Sequence, residues 1–110
     1  MDEKLLNSKS FKKLSKVILA LKNPKECKQF FRDLCTLPEL RAMSERFEVA
    51  EKVFAKQPYR QISKQTGSST ATITRISYWL RYGMGGYRLV LNRLSSPHHH
   101  NSSSFGKGLR

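Results

Sequence analysis

The segment QISKQTGSSTATITRISYWL, from Gln61 to Leu80, decides the fold. One apolar residue, Ile62, precedes its single glycine, Gly67, and apolar residues at helical spacing follow. Glycine readily takes the left-handed backbone conformation that ends a helix, so the pattern predicts a helix, a turn and a second helix. In such a helix-turn-helix the second helix can enter the major groove of DNA.

Local signals predict the bounds of these two helices. The first runs from about Tyr59 to Thr66, after Gln57-Pro58 ends the preceding helix, because the residue before a proline avoids the α region. Ser68 or Ser69 caps the second helix, which continues to a glycine at position 83. We call residues 59–82 the reading head.

Short side chains open the second helix of the reading head and would let the backbone approach base edges. Their hydroxyl groups can donate or accept hydrogen bonds, and the methyl groups of Thr70 and Ala71 can meet thymine methyl groups. We assign Arg60 and Lys64 to phosphates, where cations add affinity but little sequence reading. The predicted DNA-binding residues are Arg60, Ser63, Lys64, Ser68, Ser69, Thr70, Ala71, Thr72, Thr74 and Arg75.

The charge distribution favours a polyanionic partner. The 110 residues carry a formal net charge of +13, and all eight acidic residues lie at or before Glu51. Ten lysines and arginines follow that position with no acidic residue among them. A plain helical hairpin with a Ser/Thr-rich cap would explain the spacing alone, but the acid-free surroundings favour nucleic acid.

Three amphipathic helices are predicted before the reading head, over about residues 8–56. Asn23-Pro24 starts the second helix, and Thr36 with Glu39 starts the third. Cys27 and Cys35 are expected to be buried, reduced core residues. The predicted apolar faces comprise Phe11, Leu14, Val17, Ile18 and Leu21, then Cys27, Phe30, Phe31 and Leu34, then Leu40, Met43, Phe47, Ala50, Val53 and Phe54.

The end of the chain completes one predicted domain, residues 1–94. A last short helix from Tyr87 to Leu94 follows a glycine pair and directs Leu89, Val90 and Leu94 inward. Residues 95–110 have no periodicity, so we predict a disordered tail. The three histidines in that tail are weak evidence for a metal site, and we predict none.

Other classes of protein receive little support. The basic part of the chain has no carboxylate to act as a base, so we predict no catalytic residues and no enzyme. No apolar run approaches the ~20 residues that span a bilayer, so we expect no membrane partner and a cytoplasmic location with the bacterial nucleoid. No cofactor is predicted.

A family resemblance is visible in three quoted segments. TGSSTATITRIS, preceded by PYRQIS and by LRAMSERFEVAEKVF, resembles the tryptophan repressor superfamily, and YWLRYGMGGYRLVLNRL resembles its YerC/YecD branch. The resemblance covers about residues 34–94. It implies an all-α fold of six helices, an intertwined homodimer that presents one reading head to each half of an operator on double-stranded DNA, and a transcriptional repressor.

The same resemblance indicates an effector slot with altered residues. Family members that sense tryptophan hold the indole between two arginines, which correspond here to Arg46 and Arg75. The family carries a glycine after the second arginine and a serine three residues further on, where this chain has Ile76 and Trp79. Our hypothesis is that these side chains fill the slot and that L-tryptophan does not bind. Alternatively, Trp79 is a core or dimer-interface aromatic residue and Arg46 a surface charge.

The alternative function is an RNA-associated basic helical protein, since positive charge alone does not separate nucleic acids. Proteins that bind single-stranded RNA usually stack aromatic side chains on the bases. Tyr78, Tyr82 and Tyr87 could do so, but we expect these tyrosines to pack the recognition helix instead.

Overall fold

The computed structural model describes residues 3–95, which contain helices and no strand, as predicted. Within residues 3–95, no helix combines the length and the apolar composition that a membrane span requires. A four-residue helix, α1, adds to the six expected helices, and the predicted tail lies outside the described residues except for Ser95. The bounds are α1 Glu3–Leu6, α2 Lys9–Leu19, α3 Pro24–Leu34, α4 Leu37–Phe54, α5 Tyr59–Thr66, α6 Thr70–Tyr82 and α7 Gly86–Leu94.

The chain divides into two compact units, with the boundary between Leu40 and Arg41. The first unit contains α1, α2, α3 and the start of α4, and the second contains the rest of α4 and the helices that follow. The predicted reading head therefore lies wholly within the second unit.

Helix starts in the first unit follow their sequence signatures. The Oδ1 atom of Asn23 accepts a hydrogen bond from the backbone N–H of Glu26 at 3.0 Å, which caps α3. At the start of α4 the Glu39 N–H donates to Thr36 Oγ1 at 3.2 Å, and the Thr36 N–H donates to Glu39 Oε1 at 2.8 Å. These bonds satisfy backbone groups that have no partner inside a helix, and both predicted starts are confirmed.

The apolar faces of the first unit are only partly buried. Helices α1, α2 and α3 contain no buried residue. Leu34 is 50% exposed, and Cys27 is also exposed, so their predicted burial is wrong for the single chain. Cys35 is half-buried, and both cysteines are free thiols. Helical spacing identifies the apolar side of a helix, but it does not show whether the same chain covers that side.

The second unit has a closed core contributed by three helices, which fixes how α5 and α6 lie against α4. The core consists of Val49 and Ala50 from α4, Ile62 from α5, and Ile73 and Ile76 from α6. Ile62, Ile73 and Ile76 are buried as the helical spacing of the apolar residues indicates, whereas Ala71, which continues that spacing at the start of α6, is exposed. Val49 was not among the predicted inward residues, although it precedes the predicted Ala50.

The inward face of α7 differs from the prediction. Leu91 is buried, whereas Leu89 and Val90 are exposed. Tyr87 packs against the core, and Leu91 lies one helical turn further on the same face. The contact made by Tyr87 sets the rotation of this short helix, which its own apolar pattern leaves open.

Candidate nucleic-acid interface

The turn of the reading head has the geometry that the sequence predicts. Helix α5 spans Tyr59–Thr66, and Gly67 follows with a φ of 82°. This is the left-handed region, which strains residues that carry a Cβ atom. The Gly67 N–H donates to the carbonyl oxygen of Ser63 at 2.9 Å. The predicted bounds of α5 and its glycine stop are confirmed.

Two hydroxyl groups of α5 stabilise this turn. Ser63 Oγ donates to the carbonyl oxygen of Ser68 at 2.7 Å. Thr66 Oγ1 donates to the carbonyl oxygen of Ile62 at 2.8 Å and accepts from the Ser68 N–H at 3.1 Å. The Ser63 hydroxyl, which we predicted as a DNA ligand, therefore already has a partner within the turn.

Ser69, one of the two predicted caps, starts α6. Its Oγ atom accepts from the backbone N–H of Thr72 at 3.1 Å and donates to Thr72 Oγ1, also at 3.1 Å. The first turn of α6 contains no acidic residue. The partial positive charge at this helix terminus therefore has no carboxylate beside it on the helix, which favours an approaching phosphate.

Exposed side chains surround the start of α6. Thr70 and Thr74 are both exposed and lie one helical turn apart on the same face, with Ala71 beside them. On α5, Arg60 and Lys64 are exposed and have the same spacing.

The other predicted residues differ in exposure. Ser68 and Thr72 are half-buried, while Ser69 and Arg75 are exposed. The fold thus gathers all ten predicted residues on α5, the turn and the first half of α6.

Positive charge dominates this surface. The reading head carries four cationic residues, Arg60, Lys64, Arg75 and Arg81, and no acidic one. In the described part of the second unit, every carboxylate lies on α4, at Glu45, Glu48 and Glu51. Burial raises the pKa of Glu51, the last of these carboxyl groups, above its ordinary value.

The residues at the predicted effector slot lie in different surroundings. Ile76 is 4% exposed and belongs to the core, whereas Trp79 is 48% exposed. Arg46 and Arg75 are both exposed. Ile76 therefore directs its branched side chain into the protein, and Trp79 remains available at the surface.

An exposed aromatic cluster formed by Tyr78, Trp79 and Tyr82 follows on α6. The ring of Tyr78 contacts that of Trp79 at a centroid distance of 5.2 Å and that of Tyr82 at 5.1 Å. Tyr78 and Tyr82 are exposed, so our expectation that they pack the recognition helix is wrong for the single chain; of the three tyrosines, only Tyr87 packs against the core. The next-turn spacing of Tyr78 and Tyr82 was the available signal for this cluster.

Comparison with known proteins identifies the family. A family model described as Trp repressor protein matches residues 9–95. The chain belongs to this Trp repressor family. A relative from Bacillus subtilis (strain 168), described as uncharacterized protein YerC, is 39% identical over 98 residues, which cover 89% of this chain and 94% of the relative.

Solved structures support the assignment to the Trp repressor family. A TrpR-like protein from Eubacterium eligens is 39% identical, with a TM-score of 0.82 over 86% of this chain and 97% of that chain. A protein proposed as a Trp repressor from Staphylococcus aureus is 37% identical, with a TM-score of 0.79 over 86% of this chain and 94% of that chain. The resemblance noted in the sequence is confirmed, and Trp repressor family membership indicates a helix-turn-helix regulator that binds DNA.

Proposed function

We propose that the protein is a sequence-specific transcriptional repressor that binds double-stranded DNA through its reading head. The observation that carries this proposal is the exposed group Thr70, Ala71 and Thr74 at the start of α6, on a head whose charged residues are all cationic. These small side chains would contact base edges in the major groove. Arg60 and Lys64 on α5 would contact phosphates and set the register.

We further propose that the repressor acts as a homodimer. The N-terminal helices have apolar faces without buried residues, and a second copy of those helices would cover them. A two-fold dimer presents the same surface twice, so two reading heads would meet two half-sites about one turn of DNA apart. A repressor acts on the chromosome, and we therefore propose a cytoplasmic, nucleoid-associated location.

L-tryptophan is not the effector in this proposal. A branched residue, Ile76, occupies the position at which tryptophan-sensing members of the family carry a glycine, and Trp79 replaces a serine. A side chain at position 76 would leave less room beside Arg75 than the glycine of those members does. Trp79 would in turn offer no hydroxyl group to the ligand amine.

The proposed DNA binding is tested in two steps. Fragments that the protein binds are first selected from random duplex DNA, and the affinities of two variants for selected and random duplexes are then measured. Thr70→Glu places a carboxylate at the predicted base contact, so affinity for the selected site should fall up to about 100-fold. Arg60→Ala should weaken selected and random duplexes alike and lower the salt slope by about one. Arg93→Ala, an exposed arginine of α7 outside the reading head, is the matched control. Equal losses on selected and random DNA for both variants would contradict the assignment.

The exposed aromatic cluster favours a second candidate, binding of single-stranded RNA. Unpaired bases stack on exposed aromatic rings, and Tyr78, Trp79 and Tyr82 form such a surface. Competition between the selected duplex and single-stranded RNA at fixed salt decides between the two. RNA that displaces the duplex, together with a larger loss for Tyr82→Ala than for Thr70→Glu, would support RNA binding instead.

A further inference from the structure

A cleft of about 470 Å³ opens in the second unit, away from the start of α6. The ends of α4 and α6, the start of α5 and the first turn of α7 line this cleft. Its volume lies within the range of roughly 300–1,000 Å³ that is typical of small-molecule sites. The lining includes none of Arg46, Arg75, Ile76 and Trp79, so the cleft is separate from the predicted effector slot.

Three cations from three parts of the chain line the cleft. Lys56 precedes α5, Arg81 lies near the end of α6, and Arg88 lies on α7. No aspartate or glutamate is among the described lining residues. Like charges that a fold brings together repel one another, and a bound anion would relieve that repulsion.

The structure fixes the position of Arg88. Its Nε–H group donates to the carbonyl oxygen of Leu80 at 3.1 Å, near the end of α6. An arginine has five N–H donors, so this bond leaves the terminal amino groups of the guanidinium for a ligand. A cation whose position is already set loses less side-chain entropy on binding than a freely moving one.

Two neighbouring residues of the lining carry a free-energy cost. Gln57 Oε1 is buried and has no hydrogen-bond partner among the described residues. A buried acceptor without a partner destabilises the fold, and because this atom is covered, a ligand N–H group would satisfy it once the Gln57 amide turns into the cleft that the residue lines. Lys56 has a φ of 64°, in the left-handed region that glycine favours, so the backbone holds this cation in a strained conformation.

We propose that the cleft binds a small organic anion with two recognition groups. A phosphate or carboxylate group would meet Lys56, Arg81 and Arg88, and an N–H donor would meet Gln57 Oε1. Phe54 and Tyr59 add aromatic surface to the lining, which suits a flat ring. A nucleoside monophosphate combines all three features. Because Tyr59 and Arg81 belong to the two helices of the reading head, such a ligand would contact both of them.

Calorimetric titration of the full chain without DNA tests this site. Adenosine monophosphate is the probe, and inorganic phosphate and adenosine are its two parts. We expect the monophosphate to bind at least about tenfold more tightly than either part, because it uses the cations and Gln57 together. No binding at millimolar probe, or equal affinity for the monophosphate and inorganic phosphate, would overturn the proposal.

Two variants assign the binding to the cleft. Arg81→Ala and Gln57→Leu should each weaken binding of the monophosphate about tenfold, whereas Arg93→Ala, which removes an arginine outside the lining, should change it less than about twofold. Gln57→Leu removes a buried acceptor without a partner, so its unfolding temperature should not fall. An equal loss for Arg93→Ala and Arg81→Ala would show general charge attraction and overturn the site.

The same variants separate a free anion from a phosphate of DNA. If the cleft takes a free anion, Gln57→Leu weakens the monophosphate and leaves the affinity for a random duplex unchanged. If Arg81→Ala weakens the duplex and the monophosphate does not bind, the cleft contacts the DNA backbone and the proposal fails. The titration contains no DNA, so its outcome is independent of the proposed repressor function.

Discussion

Helices α1, α2 and α3 contain no buried residue, whereas Val49, Ala50, Ile62 and Ile73 of the second unit have no exposed surface at all. Both parts have amphipathic helices, so the difference does not come from their apolar patterns. It comes from whether a unit supplies the opposing face itself. The second unit contains its own core, which can hold α6 in place, while the apolar faces of the first unit remain available for a second copy.

The largest expected effect on stability comes from a substitution in the core of the second unit. Ile73→Ala removes a fully buried side chain between α4 and α5 and should lower the free energy of unfolding by about 3–4 kcal/mol. Urea unfolding at fixed protein concentration measures the change, because the proposed dimer would make the stability depend on concentration.

Leu19→Ala is the matched control in the first unit. Leu19 is 83% exposed and lies off the apolar face of α2, so its truncation should change the free energy of unfolding by less than about 0.5 kcal/mol. Comparable losses for Leu19→Ala and Ile73→Ala would show that the two units do not differ in burial.

The next effect concerns the uncovered faces of the first unit. Leu34→Glu places a charge on the apolar face of α3, and burial of that charge between two copies should raise the dimer dissociation constant about 100-fold. Analytical ultracentrifugation over a dilution series measures this constant.

Gln29→Glu adds the same charge to the polar face of the same helix and should leave the dimer dissociation constant within about threefold of its original value. A protein that is monomeric without any substitution, or an equal response to both variants, would remove the support that these faces give to a homodimer.

The sequence was sufficient for the reading head because its signals are local. The left-handed glycine at position 67 and the cap at Ser69 involve neighbouring residues, so the bounds of α5 and α6 follow from the sequence alone. The partner of Ser63 could not be predicted in the same way. It depends on where the turn places the carbonyl oxygen of Ser68.

Features that depend on contacts between residues far apart in the sequence could not be predicted from the sequence pattern. The rotation of α7, which buries Leu91 rather than Leu89, depends on how Tyr87 meets the core. The cleft brings Lys56 together with Arg88 through the packing of separate helices. The exposure of Leu34 in the single chain could not be predicted either, because helical spacing does not show what covers an apolar face.

The smallest effect is a difference in pH dependence between two carboxyl groups, one in each unit. The hydrogen bond from the Thr36 N–H, followed by that from its hydroxyl, lowers the pKa of Glu39 from its ordinary value of 4.5. This stabilisation is present above pH 4.5 and is lost as the pH falls through the lower, folded-state pKa. Burial raises the pKa of Glu51, so its contribution is present below pH 4.5 and is lost as the pH rises through the higher, folded-state pKa.

Unfolding titrations of two amide variants test these opposite signs. At neutral pH, Glu39→Gln should be less stable than the unsubstituted protein, and the difference should shrink as the pH falls through the folded-state pKa of Glu39. Glu51→Gln should be more stable at neutral pH, because the amide avoids the cost of a half-buried charge, and this difference should also shrink in acid. A loss of stability in both variants would mean that Glu51, like Glu39, is stabilised in its charged form. Burial would then not be what distinguishes the carboxyl group of the second unit from that of the first.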